Sequence, residues 1–372
     1  LVGPGSCGKT LAIKVLLGLI NPDKGNSWLL DTNMFKSLPA ERTDAIRQVG
    51  MSFQQGGLFD FMTVRENLIF AMENMTSKTD QEMDQTIKTL LAAVKLPKTE
   101  FMYPYELSGG MQRRISIARA LCVEPKVAIF DVRQDNVETV VTEAASIGDP
   151  ECAIPLVRDI TKIDDCISAI NETIDAFNSA DILVNAAGLG MATLKNNYWN
   201  DNLKFWDADI DRFNRLMNVN WNGPFLLARS VVPHMLEKGW GRIVNVTTSL
   251  DTMTTRGYTP YGPSKAALEA ATSIWAKDLE NSGVTANVLV PGGPVNTEFI
   301  PENAPFDRTK LTQPEAMQAP ICWLASELSN GFTNMRFVAR SWDPDAPLEN
   351  AIKESGGPCA WPDAGKKAFK PT

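Results

Sequence analysis

The sequence has a single histidine, and its six cysteines lack the CxxC spacing of zinc or redox sites. These shortages argue against a structural zinc centre and a disulfide framework, and they favour reduced thiols. No uninterrupted apolar run is long enough to cross a bilayer, and no basic block accompanies the net charge of −8. We therefore expect a soluble, cytoplasmic protein with no nucleic-acid partner.

The chain does have enough residues for two domains of ordinary size, 372 in all, of which 44% are hydrophobic. The motifs described below divide it into a first domain over residues 1–125 and a second over residues 126–345. Residues 346–372 contain several prolines and glycines. We expect them to form a loosely structured C-terminal extension.

A phosphate-binding loop opens the chain at GPGSCGKT, residues 3–10. Glycines such as Gly3 and Gly8 let backbone N–H groups close around phosphate oxygens. Lys9 reaches the terminal phosphates, and Thr10 offers its hydroxyl to Mg²⁺. The helical run TLAIKVLLGL follows directly, as such a loop requires. The pattern predicts that this segment binds ATP with Mg²⁺.

Two later stretches follow in the order found in the nucleotide-binding domain of ABC transporters, which this half resembles. They are QVGMSFQQGGLFDFMTVREN and then ELSGGMQRRISIARAL. The resemblance makes Gln54, rather than Gln55, the lid glutamine that touches Mg²⁺ and the membrane partner. It makes Ser108 and Gly110 contacts to the ATP of a second copy in a head-to-tail dimer. The first stretch is most similar to the lipid-trafficking, Mla-type branch.

The ATPase pattern stops after the strand VAIFD. The family places a water-activating glutamate after the aspartate that ends this strand, but here Asp131 is followed by Val132. The family's phosphate-sensing histidine is also missing. His234 lies in VVPHMLEKGWG, where we expect a partly exposed helix residue. This half is therefore predicted to bind ATP and to hydrolyse it poorly.

From residue 126 onward, apolar strands alternate with helical segments. The stretches typical of strands are KVAIFD, CAIPLVRDIT, ADILVNAAG, GRIVNVTTS and TANVLVPGG. This alternation predicts an α/β fold with a Rossmann-like, doubly wound parallel sheet.

The blocks NAAG, YGPSK and PGGPVNT have the order and spacing of the short-chain dehydrogenase/reductase family, which residues 126–345 resemble. Tyr261 and Lys265 lie four residues apart on one helical face. There the lysine's charge can stabilise a tyrosinate whose unperturbed pKa is ~10. The resemblance implies that Lys265 also holds the nicotinamide ribose, and that Tyr261 passes the proton during hydride transfer.

Two further side chains complete the implied catalytic set. Most family members have a serine that polarises the substrate carbonyl; by spacing to the tyrosine this position is Thr248, with Ser249 one residue later as the alternative. Asn220, in NVNWNGPF, matches the asparagine that holds a proton-relay water. Its alternative role is a helix asparagine that bonds backbone atoms.

The resemblance also implies the cofactor contacts. Asn185, Ala186 and Gly188 would lie beside the adenosine half of the cofactor. Asp159 would lie at the adenine edge, and Val295 and Thr297 would contact the carboxamide. Asp131 would accept hydrogen bonds from both ribose hydroxyls. This favours NAD over NADP because the carboxylate repels a 2′-phosphate, although Arg133 slightly weakens the preference.

Two segments flank the implied substrate site. TEFIPENAPFDRTKLTQPEA, after the PGG turn, is polar and has no evident anchor, so we expect it to be mobile. The aromatic residues of MATLKNNYWNDNLKFWDADIDRFNRLM are interpreted as helix packing rather than as a ligand cage.

Neither half is complete. Only Leu1 and Val2 remain of the strand before the phosphate-binding loop, so we expect the chain to be truncated there. The first strand and TGxxxGxG loop that open the dehydrogenase family are absent before residue 126. One hypothesis places the N-terminal strand beside residues 127–131, in a hybrid sheet. The alternative is two separate lobes with an exposed sheet edge.

Three functional interpretations stay open. They are an NAD-dependent oxidoreductase, an ABC-type ATP-binding subunit with weak or no hydrolysis, and an inactive composite of two truncated genes. The first implies a small alcohol or ketone as substrate and allows a homo-oligomer through the dehydrogenase part. The second implies a membrane partner, provided that the ATPase half works.

Overall fold

The computed structural model describes residues 28–29, 32–33, 36–37, 58–59, 62–75, 79–122, 126–147, 152–344 and 346–362. The chain divides into two compact units, Leu1–Gln54 and Gln55–Thr372. In the first unit, strands β1 (Trp28–Leu29) and β2 (Thr32–Asn33) pair antiparallel. The residues predicted to bind the ATP phosphates and Mg²⁺ lie outside the described residues: Gly3, Gly8, Lys9, Thr10 and Gln54. The hybrid-sheet hypothesis, which depends on Leu1 and Val2, lies outside them as well.

The second unit begins with three helices, α1 (Val64–Met75), α2 (Asp80–Ala93) and α3 (Gly109–Leu121). Helix α2 starts in a capping box, in which the backbone N–H of Thr79 donates to the Glu82 carboxylate at 2.7 Å. Apolar residues three and four positions apart face one cluster, formed by Val64, Leu68, Met72, Met83, Ile87, Leu90, Leu91, Ile115 and Ala118. These helices therefore have an apolar core of their own.

Strands and helices then alternate, as the sequence pattern predicts. The strands are β3 (Val127–Asp131), β4 (Ala153–Val157), β5 (Ile182–Asn185), β6 (Gly241–Val246), β7 (Val284–Val290), β8 (Met335–Val338) and β9 (Gly356–Pro358). The helices are α4 (Gln134–Ile147), α5 (Ile163–Phe177), α6 (Ile210–Met217), α7 (Gly223–Lys238), α8 (Leu250–Met253), α9 (Tyr261–Asp278), α10 (Gln318–Ala325) and α11 (Leu348–Ser355). A π-helical turn, Asn218–Asn222, joins α6 to α7.

Parallel pairing confirms the α/β fold. Strands β5, β6, β7 and β8 form a parallel sheet in that order, and β9 pairs antiparallel with β8. Every residue of β7 is buried, which suits the apolar and small side chains of VTANVLV at the centre of the sheet. Helices α5 and α7 pack on the sheet through Ile170, Val231 and Met235, which meet Ile243 and Ala286 in one cluster.

The parallel strands form two sheets rather than one. Within the described part of the chain, β3 pairs only with β4, and β5 pairs only with β6. Apolar side chains on these strands are correspondingly exposed: Val127 by 44%, Ile182 by 45% and Val184 by 38%. Both β3 and β5 thus present an open edge among the described residues.

The C-terminal segment differs from the expectation of a loose extension. Helix α11 places Ala351 in a buried cluster with Trp323, Phe337 and Trp342, and β9 extends the sheet. A Cβ at Gly356 would lie 2.5 Å from the backbone oxygen of Ile352, so glycine permits the close passage from helix to strand. Across the described ranges, no helix is both long and apolar enough to cross a membrane.

Candidate active site

The candidate catalytic helix α9 begins at Tyr261 and packs against β7. Its second residue must be a glycine, because a Cβ at Gly262 would lie 2.3 Å from the backbone oxygen of Met253 in α8. The YGPSK block therefore has a packing reason as well as a chemical one. It lets α8 and α9 come close enough for Tyr261 to reach the end of β6.

Lys265 lies one turn further along α9 and is buried. Its Nζ donates to the carbonyl oxygen of Val246, at the end of β6, at 2.9 Å. Burial lowers the pKa of this amine to about 8. A Cβ at Gly188 would lie 3.5 Å from Lys265 Nζ and 3.4 Å from Asn220 Oδ1, so these three residues meet at the end of β5.

Tyr261 has a raised pKa rather than a lowered one. Burial raises it to about 12, and a hydrogen bond with the Thr248 side chain opposes the shift. The Lys265 amine is bonded to the Val246 carbonyl, and burial disfavours the phenolate of Tyr261. The tyrosine is therefore held in its protonated form.

The two candidate hydroxyls have different surroundings. Thr248 is the one bonded to Tyr261. Ser249 caps α8: its Oγ accepts from the backbone N–H of Thr252 at 3.2 Å and lies 2.6 Å from the Thr252 hydroxyl. The geometry thus favours Thr248 over Ser249 as the residue beside the reacting atoms.

A buried carboxylate and a guanidinium hold the backbone that carries Thr248. Arg336 on β8 donates from Nη2 to the Thr248 carbonyl oxygen at 2.9 Å, and its Nη1 lies 3.6 Å from Glu269. The hydroxyl of Thr247 donates to the same Glu269 oxygen at 3.0 Å. Burial raises the pKa of Glu269, against the opposing effect of Arg336. Sequence reasoning missed both residues, although Glu269 follows Lys265 by one helical turn.

Asn220 is fully buried in the π-helical turn. Its Oδ1 accepts from the Leu189 N–H at 2.7 Å, while Nδ2 donates to the Leu189 carbonyl at 2.9 Å and to Ser264 Oγ at 3.1 Å. These bonds tie the loop after β5 to the catalytic helix. The side chain thus has the backbone-bonding contacts of the alternative role.

The predicted cofactor residues beside the central sheet lie at the end of β5. Asn185 donates to Asn245 Oδ1 at 2.8 Å across the β5–β6 ladder. Ala186 follows it and is exposed, and Gly188 is half-buried beside Lys265.

The two predicted adenosine-side carboxylates follow β3 and β4. Asp131 accepts from the Arg133 backbone N–H at 2.8 Å and from Asn136 Nδ2 at 3.1 Å. Asp159 accepts from the backbone N–H and the hydroxyl of Thr161. Burial tends to raise the pKa of Asp159, but the Thr161 hydrogen bonds outweigh it and leave the pKa lowered.

The segment expected to be mobile after the PGG turn has anchors. Val295 forms a β-bridge with the buried Thr312, and the Thr297 backbone N–H donates to the Val295 carbonyl at 2.9 Å. Ile300 is buried, and the ring of Phe299 packs 5.9 Å, centre to centre, from that of Tyr261. Glu298 of the same segment also forms an ion pair with Arg133 at 3.3 Å.

Two of the aromatic residues interpreted as helix packing lie outside the helices, near the segment that follows the PGG turn. Tyr198 and Trp199 lie in turns before α6, and Tyr198 contacts the ring of Tyr258, close to Tyr261. The sequence pattern could not predict the contact between Tyr198 and Tyr258, because these residues are 60 positions apart in the sequence.

Of the ATP-site residues predicted from the signature, Ser108 and Gly110 are described. Ser108 is exposed and caps α3, with its Oγ accepting from the Met111 N–H at 3.3 Å, while Gly110 is buried. His234 is half-buried on α7, as expected, and its Nε2 lies 3.1 Å from Ser179 Oγ. Among the described side chains, no group of three His, Cys, Asp or Glu could hold a metal ion.

A cavity of about 650 Å³ lies next to Val295, whose bridge partner Thr312 lines it. It is lined by Lys310, Leu311, Thr312, Arg340 and Trp342, among others, and none of the candidate catalytic side chains borders it. The candidate catalytic residues meet instead at the ends of β5 and β6.

Comparison with known proteins separates the two parts of the chain. A family profile described as short chain dehydrogenase matches residues 115–306, and one described as ABC transporter matches residues 1–132. The two matches overlap at residues 115–132, which include the strand VAIFD.

The curated relatives match the N-terminal part. Protein TRIGALACTOSYLDIACYLGLYCEROL 3, chloroplastic, of Arabidopsis thaliana is 33% identical over 137 residues, which are 35% of this chain and 39% of that protein. The sulfate/thiosulfate import ATP-binding protein CysA of Halalkalibacterium halodurans is 38% identical over 134 residues, which are 35% and 36%. The chain thus spans about two fifths of the length of these relatives.

The similar solved structures match the C-terminal part. A short-chain type dehydrogenase/reductase from Mycobacterium marinum has a TM-score of 0.49 at 23% identity, over 56% of this chain and 81% of that one. A 3-ketoacyl-(acyl-carrier-protein) reductase from Brucella melitensis, complexed with NADH, has a TM-score of 0.47 at 24% identity, over 56% and 83%. Because its profile match covers more than half of the residues, the chain belongs to the short chain dehydrogenase family, joined here to a segment similar to ABC transporter ATP-binding proteins.

Proposed function

We propose that this chain is an NAD(P)-dependent oxidoreductase that acts on the alcohol or carbonyl group of a small molecule, with NAD preferred over NADP. The observation that carries the proposal is the meeting of Tyr261, Thr248 and Lys265 at the carboxyl ends of neighbouring parallel strands. Ligands of open α/β sheets bind at such ends.

Each side chain has a role that fits its surroundings. The Tyr261 hydroxyl, kept protonated by burial, holds the proton that a carbonyl oxygen takes up on reduction. The Thr248 hydroxyl lies beside it and can donate to the same oxygen. Buried Lys265 brings an amine to the point where Gly188 and Asn220 meet. NAD(H), when bound, supplies or accepts the hydride at the substrate carbon.

The described residues fit the two ribose ends of such a cofactor. At Gly188 the absence of a side chain leaves room beside Lys265 for the nicotinamide ribose. At the end of β3, Asp131 offers a carboxylate whose remaining lone pairs can accept from ribose hydroxyls. Groups for the pyrophosphate have to come from outside the described residues.

Titration of the purified full chain with NADH tests the proposal. We expect saturable binding that weakens about tenfold or more in Asp131→Ala, since a charge-assisted hydrogen bond is lost. Asp135→Ala, a neighbouring acidic residue in the first turn of α4, is the matched control and should bind normally. NADPH should bind more weakly than NADH to the wild type, and the difference should shrink in Asp131→Ala. Absence of saturable NADH binding would overturn the proposal.

ATP binding by the N-terminal segment is a second candidate, supported by the ABC transporter profile over residues 1–132. An ATP titration of the same preparation should then lose its signal in Lys9→Ala and keep it in Lys88→Ala, which changes an exposed lysine of α2. The Mla-type assignment and a membrane partner belong to this candidate. Binding of neither nucleotide would favour an inactive composite.

A further inference from the structure

An unbroken series of aromatic contacts leads to Tyr261. The rings follow in the order Phe306, Trp199, Tyr198, Tyr258, Tyr261 and Phe299, with neighbouring centroids between 5.1 and 6.4 Å apart. All five contacts are edge-to-face or tilted, the arrangements that aromatic pairs prefer. We call the five residues around Tyr261 the aromatic wall: Tyr198, Trp199, Tyr258, Phe299 and Phe306.

The aromatic wall is assembled from three connections of the sheet. Tyr198 and Trp199 follow β5, Tyr258 follows β6, and the two phenylalanines follow β7. Because β5, β6 and β7 are parallel and adjacent, these three connections leave the sheet at the same edge. Residues far apart in the sequence thus converge on the edge that carries Thr248 and Tyr261.

The exposure of the aromatic wall distinguishes it from a core cluster. Trp323, Phe337 and Trp342 also form a series of ring contacts, and each is at most 5% exposed. None of the wall residues is buried to that extent, and Phe299 remains 44% exposed although it packs on Tyr261. A ligand that enters the site therefore has apolar surface left to cover.

Phe299 shows that a flat ring fits beside Tyr261. A Cβ at Gly190 would lie 2.6 Å from the Phe299 ring, so the ring rests directly on the backbone there. Its other neighbour is the Tyr261 ring. The side chain thus occupies a flat place between the loop after β5 and the residue that holds the proton.

The aromatic wall carries no charge, and its polar groups are the phenols of Tyr198 and Tyr258 and the indole N–H of Trp199. Burial raises the pKa of both Tyr198 and Tyr258, so both stay protonated at neutral pH. Neither hydroxyl has a hydrogen-bond partner among the described residues. A wall of this kind suits an uncharged, flat ligand, since it offers no opposite charge to a carboxylate or an ammonium group that loses its hydration.

We propose that the substrates are aryl ketones or the matching aryl carbinols, in which an aromatic ring adjoins the reacting carbon. The substrate ring takes the place of the Phe299 side chain against Gly190, and its other edge contacts the ring series that begins at Tyr258. The carbonyl oxygen then lies at Tyr261 and Thr248. This inference rests on the proposed oxidoreductase function for its chemistry, but the binding of the ring can be measured without turnover.

Calorimetric titration of the full chain with 2-acetylnaphthalene, acetophenone and cyclohexanone tests the proposal. The aryl ketones should bind at least about tenfold more tightly than cyclohexanone, the order expected for one well-packed aromatic contact. Trp199→Ala and Phe306→Ala should weaken aryl binding and leave cyclohexanone binding unchanged. Phe299→Ala should have the opposite effect and tighten aryl binding, because it removes the competing ring.

Trp206→Ala is the matched control. Trp206 is 67% exposed and contacts Phe205 rather than the aromatic wall, so its removal should change nothing. Circular dichroism of each variant shows whether it is folded. If one variant fails to fold, the remaining ones still test the proposal, because Trp199→Ala and Phe306→Ala should weaken aryl binding and Phe299→Ala should tighten it. Equal affinity for cyclohexanone and the aryl ketones, or no effect of either wall variant, would overturn the proposal.

The result also separates this inference from the proposed function. Aryl binding that depends on Trp199, in a protein that does not bind NADH, would support the aromatic site and contradict the oxidoreductase. NADH oxidation with cyclohexanone at the same kcat/KM as with acetophenone would support the oxidoreductase and contradict the aryl preference.

Discussion

Lys265 is a cation in a place that does not favour charge. Its amine is buried, and its one hydrogen bond goes to a neutral carbonyl, so burial lowers its pKa to about 8 from the ordinary 10.5. Between those two pH values the unfolded chain binds more protons than the folded one. Stability from this group therefore rises with pH across that window. The buried amine therefore lowers the stability of the fold at neutral pH.

The variant Lys265→Met measures how much the buried amine lowers the free energy of unfolding. At pH 7 the variant lacks the buried charge, so its stability relative to the wild type should be greatest there. That advantage should fall by on the order of 2–3 kcal/mol between pH 7 and pH 10.5, where the amine is neutral in the folded wild type and half-protonated in the unfolded chain. Urea unfolding at the two pH values measures the change. Lys277→Met, an exposed lysine on the same helix, should show little pH dependence, and an equal response of both variants would contradict the argument.

At the scale of elements, the step from α11 into β9 depends on one glycine. A Cβ at Gly356 would lie 2.5 Å from the Ile352 carbonyl oxygen and 2.7 Å from the Phe337 ring, whereas one at Gly357 meets nothing within 4 Å. Gly356→Ala should therefore destabilise the protein by about 1–3 kcal/mol through overpacking. Gly357→Ala should change stability by less than about 1 kcal/mol. Thermal unfolding of both variants checks this, and equal effects would rule out the steric explanation.

The elements also differ in how far local pattern predicts them. The strands β3 to β7 each follow from an apolar run, and their pairing is parallel as predicted, although β3 and β4 form a sheet separate from that of β5 to β9. The strand β9, GGP, has no such run and forms because β8 offers it an edge. Helix α11 has only 8 residues and depends on burying Ala351 against Trp342. No pattern within residues 346–362 could have predicted either element.

At the scale of the whole molecule, the open edges of β3 and β5 are the most unusual feature of the described residues. A strand that leaves one edge unpaired and exposes apolar side chains favours association with other chains. We expect the purified protein to self-associate with rising concentration, and Val184→Lys, on β5, to reduce this association. Static light scattering over a concentration series measures the effect.

Ile167→Lys provides the control for this prediction. Ile167 is exposed by 42%, close to the 38% of Val184, but it lies on helix α5 instead of an open strand. Its replacement should leave the association unchanged. Scattering that both lysine variants reduce equally would trace the association to apolar surface in general, and scattering that neither reduces would place it elsewhere.

The sequence by itself determined the short chain dehydrogenase family, the resemblance of its first part to ABC transporter ATP-binding proteins, the alternation of strands and helices, and the placement of Tyr261 and Lys265 on one helical face. These features depend on local spacing, which a sequence records directly. Only the tertiary structure distinguishes the surroundings of Thr248 from those of Ser249, because Thr248 bonds Tyr261 whereas Ser249 caps α8. It also decided which residues surround Thr248 and Tyr261, since Arg336 and Phe299 reach them from other connections of the sheet. Such contacts join residues that no local pattern relates, and they exist only once the parallel strands bring their ends together.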